Sequence, residues 1–268
     1  MRGVNSRWIG TLRPPRLAGE ARKERRLVTI EHIRQLIACP FPESDLVITR
    51  DRAAACFLFL TGVRAAAFCS LYLACVDMQA KTVRQYPELG VRTKNQKAIL
   101  TRTFDIPDLL AVVQAWDAYL RARFPASAPW YPATYRSATM AEARIVPEFA
   151  DTRKSSLNKN LKQLFRQAGL PDNLSPHKFR HGNAVYGLKQ ARTMEDFKAV
   201  SMNPGHNSIG NTDSIYAILT DNDLQERIAK QSRNSIANAA TGSPAAIDTA
   251  QVAAIVEETI RRLTPARS

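Results

Sequence analysis

Ser175-Pro176-His177-Lys178-Phe179-Arg180-His181 is the stretch from which the rest of the chain is best read. Ser followed by Pro looks like a helix start, because Pro is tolerated at the first helical position and Ser caps well. A helix is therefore expected over 177–189. His177 and Arg180 stand three apart and share one face of its first turns. The helix start also offers free N–H groups and the positive end of the dipole. An anion there would meet a guanidinium, an imidazole and backbone donors together. Taken alone, the same stretch reads equally well as a basic surface turn.

Three other features lie outward from it. Upstream, Thr61-Gly62-Val63-Arg64 puts an arginine just after a glycine break, and Lys94 and Lys97 flank Asn95-Gln96 in an expected hairpin turn. Downstream, Pro204-Gly205-His206 precedes a short helix expected over 213–219, which carries Tyr216. Each has an ordinary explanation by itself. Short motifs such as Gly-x-Arg recur by chance, exposed hairpin lysines protect a strand edge, and a tyrosine on a helix is usually packing. Their order changes the reading. The chain has only four histidines, and His177, His181 and His206 all fall in this one stretch. Gly-x-Arg, lysine, His-x-x-Arg, Gly-His and tyrosine together supply what metal-free phosphodiester transesterification needs: a nucleophile, cations around the phosphorane, and an acid for the leaving oxygen. A phenol leaves as readily as it attacks, and arginine forks hold phosphate oxygens bidentately.

The remaining pattern is mainly helical. Residues 1–26 are polar and basic with Pro14-Pro15, and read as a flexible arm. Thr29 is a good N-cap for a helix over 30–38. A helix with an almost wholly apolar second half is expected over 46–60, and after Gly62 a second, apolar one through residue 73. Short β-branched runs at 82–86, 90–93 and 98–104 suggest one antiparallel sheet with a tight turn around 94–97. Helices follow over 108–124, 155–168, 177–189 and 194–200, with 125–136 a loop. Residues 236–268 read as a linker and an amphipathic helix carrying Val252, Ile255, Val256, Ile260 and Leu263. The expected fold class is thus α+β, mainly α with a small antiparallel β-sheet, and the main domain spans 27–235.

Charge points to the partner. Lys and Arg number 38 against 24 acids, for a net charge of +14. Such an excess self-repels unless a polyanion compensates it, and nucleic acid is the commonest one. Much of it sits in residues 1–26 and in 153–192, where Asp172 is the sole acid. Arg153, Lys154, Lys178, His181 and Lys97 are accordingly candidate DNA contacts. Cys39, Cys56, Cys69 and Cys75 show no CxxC spacing in apolar surroundings, which predicts reduced buried thiols with no disulfide frame or zinc site. The longest apolar run, 53–63, is too short for a bilayer, and no signal-like stretch opens the chain. A soluble, cytoplasmic, nucleoid-associated protein is expected.

In family order and with fitting gaps, these boxes resemble the catalytic domain of the tyrosine recombinase (phage integrase) family over residues 26–234, starting with Leu27-Val28-Thr29-Ile30-Glu31-His32-Ile33. The resemblance implies catalytic roles for Arg64, Lys94, His177, Arg180, His206 and Tyr216. Tyr216 is then the nucleophile, Lys94 the donor to the leaving 5′-oxygen, and His177 the acceptor of the phenolic proton. Arg64, Arg180 and His206 hold the scissile phosphate, and His181 is a structural helix residue. It further implies double-stranded DNA as partner, a synaptic tetramer on DNA, and neither metal nor other cofactor. Three departures stand out. Ala67 occupies a position where the family often has an acid. The gap from His206 to Tyr216 is one residue longer than the commonest spacing. The family's N-terminal core-binding domain has no counterpart before residue 27, so a separate core-binding partner is one expectation. Two rival readings remain: an accessory DNA-binding relative that no longer cuts, and a metal enzyme using His177, His181 and His206. Lys178 and Arg180 place positive charge beside that proposed ion, which opposes the second.

Overall fold

A computed structural model describes residues 27–42, 44–135, 143–149, 153–203 and 205. Their centre is α2 (Leu46–Thr61), which is buried along its whole second half. An N-cap aspartate starts it: Asp45 Oδ1 accepts from the N–H groups of Val47 and Ile48 at 2.9 and 3.2 Å. Gly62 ends it in the left-handed region at φ +62°. A helix apolar all round must be covered on all sides. Here α1 (Ile30–Ala38), α4 (Pro107–Arg121), α5 (Arg153–Gln167) and α6 (Pro176–Gln190) pack against α2. Helix α1 begins with a capping box between Thr29 and His32. The rings of Phe57, Phe68, Trp130 and Tyr131 fill one side of the core.

The helices lie close to their expected bounds, including the last described one, α7 (Met194–Met202). Four expectations fail. After Gly62 only α3 (Ala65–Phe68) is helical, and no helix runs on to residue 73. The chain at 71–75 instead pairs with the following loop: Leu73 N–H donates to Ala128 O, and Trp130 N–H to Leu71 O, both at 2.9 Å. Apolar runs of this length serve either purpose, because burial and not periodicity is what they encode. The sheet is β1 (Val76–Asp77), β2 (Thr82–Gln85) and β3 (Ile99–Arg102) in that order, antiparallel throughout, and β1 was not anticipated. Its register pairs Val83 with Val76 and Thr101. Residues 90–93 form no strand. Gly90 turns at φ +80°, and Arg92 N–H donates to Ser70 Oγ at 2.8 Å, so this segment is tied to the chain after α3. Finally, a second two-stranded sheet, β4 (Ala133–Tyr135) with β5 (Arg144–Val146), starts within the expected loop.

The thiols of Cys56, Cys69 and Cys75 are buried and free, and Cys39 is half-buried. Burial pushes Cys56 up to about 12 and Cys69 to about 11, so neither is a thiolate at neutral pH. Among the described residues no helix is long and apolar enough to cross a membrane.

Candidate active site

The glycine break places Arg64. With Gly62 in the left-handed region, the chain leaves α2 sharply and Arg64 stands at the N-cap of α3. A Cβ on Gly62 would meet Asn183 Oδ1 at 2.6 Å, so the close approach of α6 requires glycine here. Asn183 Nδ2 in turn donates to Phe59 O at 2.7 Å, and Arg180 Nη1 donates to Gly62 O at 2.9 Å. Gly182 is tighter still, since a Cβ there would collide with the carbonyl oxygen of Val28. Helix α6 is thereby seated on the end of α2, bringing together two arginines far apart in sequence.

Arg64, Arg180 and His177 line one cavity of about 560 Å³. Lys154, Ser155 and Asn158 of α5 form its other wall, and no acidic residue lines it among the described residues. An adjoining cavity of about 220 Å³ shares Arg64 and brings in Ala67, Arg92, Thr93 and Lys94. Lys94 thus reaches the same arginine from the sheet side. It sits in a 3-10 turn (Lys94–Gln96) within the β2–β3 connection, with Asn95 at φ +58°, and does not end a strand.

The electrostatics suit an anion. Arg180 is 5% exposed, and burial, then the nearby Arg64 guanidinium, push it down to about 9. Burial also lowers Arg64. Two cations held close in a partly dry site raise each other's free energy, and a phosphate between them removes that cost. His177 is lowered by burial first, then by Arg180, Lys178 and Arg64. Its Nε2 lies 2.8 Å from Nε2 of His181, so one ring donates and the other accepts.

The expected DNA contacts divide. Lys154 is exposed on the cavity wall, whereas Lys178 is half-buried and lines neither cavity. His181 is held by His177. Lys97 is exposed and lines neither cavity. Arg153 is a correction: it is 6% exposed, stacks over Tyr131 at 4.6 Å, and donates to the carbonyls of Tyr131 and Pro132 at 2.6 Å. It belongs to a buried polar group with Arg50, Asp51 and Tyr131, in which Tyr131 Oη donates to Asp51 at 2.7 Å. A charge run in sequence does not distinguish a snorkelling cation from a core one. His206 and Tyr216 lie outside the described residues. Ser155, Asn158 and Arg92 were missed. For Asn158 the signal was present, because it stands four residues after Lys154 and so neighbours it on the helix surface.

The sequence model of the phage integrase family matches residues 27–223, well over half of the chain. The chain belongs to the phage integrase family. Its fold agrees with that of solved tyrosine recombinases. A crystal structure of XerA recombinase matches with a TM-score of 0.57 at 20% identity, covering 80% of this chain and 66% of that one. XerH recombinase bound to palindromic difH substrate, a post-cleavage complex, matches with a TM-score of 0.52 at 16% identity, covering 77% and 53%. The integrase-family chain thus spans between about half and two thirds of these relatives' length. Compared with curated proteins, the sequence matches none.

Proposed function

We propose that this chain cleaves and rejoins double-stranded DNA through a 3′-phosphotyrosine at Tyr216. The observation that carries the reading is the pairing of Arg64 and Arg180 on one cavity with His177, next to Lys94, with no acid among the described lining residues. In this reading the Tyr216 phenolic oxygen attacks a phosphate and gives its proton to His177. The bond from phosphorus to the 5′-oxygen breaks, and Lys94 gives that oxygen a proton. The two guanidiniums hold the non-bridging oxygens, where charge grows in the transition state. Attack by a 5′-hydroxyl from another strand reverses the step, so bond energy is conserved and neither ATP nor a metal is consumed. Family membership and the XerH complex with DNA support the substrate class. Site-specific recombination by a DNA-bound assembly, with several copies or a separate core-binding partner, is the setting this chemistry fits. A cytoplasmic location beside the nucleoid accords with such a substrate.

The test is a nicked duplex incubated with the protein in EDTA, followed by denaturing electrophoresis. A protein-linked 3′ end with a free 5′-hydroxyl supports the reading, and cleavage that leaves no protein on either end, or that appears only when Mg²⁺ replaces EDTA, overturns it. A second reading, a DNA-binding relative that no longer cuts, is favoured by Ala67. It is buried beside Arg64 and supplies no carboxylate to the cavity. That reading predicts salt-sensitive DNA binding with no adduct under any condition.

A further inference from the structure

Beyond α7 the chain turns back onto the sheet, and one side chain fastens it there. Strand β3 is the sheet's edge, so the outward N–H and C=O of Arg102 need a partner. Asn203 provides both halves: Arg102 N–H donates to its Oδ1 at 2.7 Å, and its Nδ2 donates to Arg102 O at 2.8 Å. A side-chain amide carries one acceptor and two donors, so it completes a strand edge as a backbone peptide would. Few other side chains can make this pair of bonds. The Asn203 carbonyl oxygen also accepts from Thr101 Oγ1 at 3.0 Å, and that hydroxyl accepts from Gln85 Nε2 at 2.6 Å. Thr101 and Gln85 are both buried, and Gln85 lines the cavity that holds Arg64 and Lys94.

The next described residue seats the chain on the same cavity. Gly205 N–H donates to Met202 O at 2.8 Å, and Gly205 adopts φ +78°. A Cβ on it would lie 2.5 Å from Cδ1 of Ile99, another lining residue. His206 is the next residue in sequence. Tyr216 comes ten residues later.

We propose that Asn203 is a positioning residue, which anchors the entry of the His206–Tyr216 segment to the strand edge beside the Arg64 and Lys94 cavity. The role rests on the reading of that segment as carrying the nucleophile. Asn203 touches no reacting atom. Its effect is to set where the following residues start, so it acts on the rate of cleavage and not on DNA affinity.

Asn203→Ala and Asn203→Asp test this. The second keeps the volume and the Oδ1 acceptor but loses the donor to Arg102 O. Three quantities are read on the full chain: amide hydrogen exchange at Arg102, DNA affinity, and single-turnover adduct formation at saturating nicked DNA. The expected result for Asn203→Ala is faster exchange at Arg102, affinity within twofold of wild type, and adduct formation slowed at least tenfold. Asn203→Asp is expected between that variant and wild type. Unchanged exchange at Arg102 removes the anchor and overturns the proposal. So does faster exchange with adduct formation at the wild-type rate. If Asn203→Ala unfolds, Asn203→Asp decides by the same three readings. A wild-type protein that forms no adduct sinks the assignment of Tyr216 and this role with it, while exchange at Arg102 separately reports whether the anchor exists.

Discussion

Arg180 donates through Nη1 to the carbonyl oxygen of Gly62, 2.9 Å away. The bond joins the start of α6 to the break after α2, and so sets the spacing of Arg180 and Arg64. Gly62 is in the left-handed region, and a Cβ there would press on Asn183. Gly62→Ala is expected to cost about 1–3 kcal/mol of stability from the backbone strain alone. DNA cleavage should fall further than stability explains, because the two guanidiniums lose register. Urea denaturation alongside adduct formation checks it. A variant as stable as wild type would contradict the strain argument.

Arg153 and Lys154 are neighbours with opposite expected roles. Arg153→Ala removes charge-assisted hydrogen bonds to two buried carbonyls and should lower stability by about 2–4 kcal/mol, at about 1.5–3 kcal/mol net per such bond with some overlap. Its salt dependence of DNA binding should match wild type. Lys154→Ala should leave stability within about 0.5 kcal/mol and reduce the slope of log affinity against log salt by about 0.9 for one lost phosphate contact. Binding titrations across a salt series separate the two. Equal slopes for both variants would remove Lys154 from the interface.

His177 sets the acid side of the pH profile. A proton acceptor works only when deprotonated, and burial, Arg180, Lys178 and Arg64 all favour the neutral imidazole. The second-order rate of adduct formation, which reports the free protein, should therefore stay level as pH falls to about 6.5, the ordinary histidine value. It should decline only below that. His177→Gln should slow cleavage by about 100-fold or more, the usual worth of a general base, and flatten that decline. A limb centred above pH 7 would contradict the placement of His177 among cations.

Most helices could be read from the chain because capping and periodicity act locally. Thr29 and Gly62 mark boundaries that hold in the structure. The apolar run after Arg64 was misread, since a segment pairing with the 126–130 loop and a buried helix have the same composition. Strand β1 is two residues long and carries no periodic signal. Within the site, Arg64, His177 and Arg180 share a cavity as their motifs suggested, although nothing local links residue 64 to residue 180. Arg153 could not be placed from sequence, because what buries it is Tyr131, whose position depends on the tertiary fold. Asn203 carried no signal either, as its partner Arg102 lies on a distant strand.

The central claim is that Tyr216 forms the covalent bond to DNA. The most direct measurement compares wild type with Tyr216→Phe on a nicked duplex in EDTA, scoring protein attached to the 3′ end and DNA affinity together. The predicted result is an adduct with wild type, none with Tyr216→Phe, and the same affinity within about twofold, since one hydroxyl contributes little to a charge-dominated interface. An adduct of equal yield from Tyr216→Phe would contradict the account.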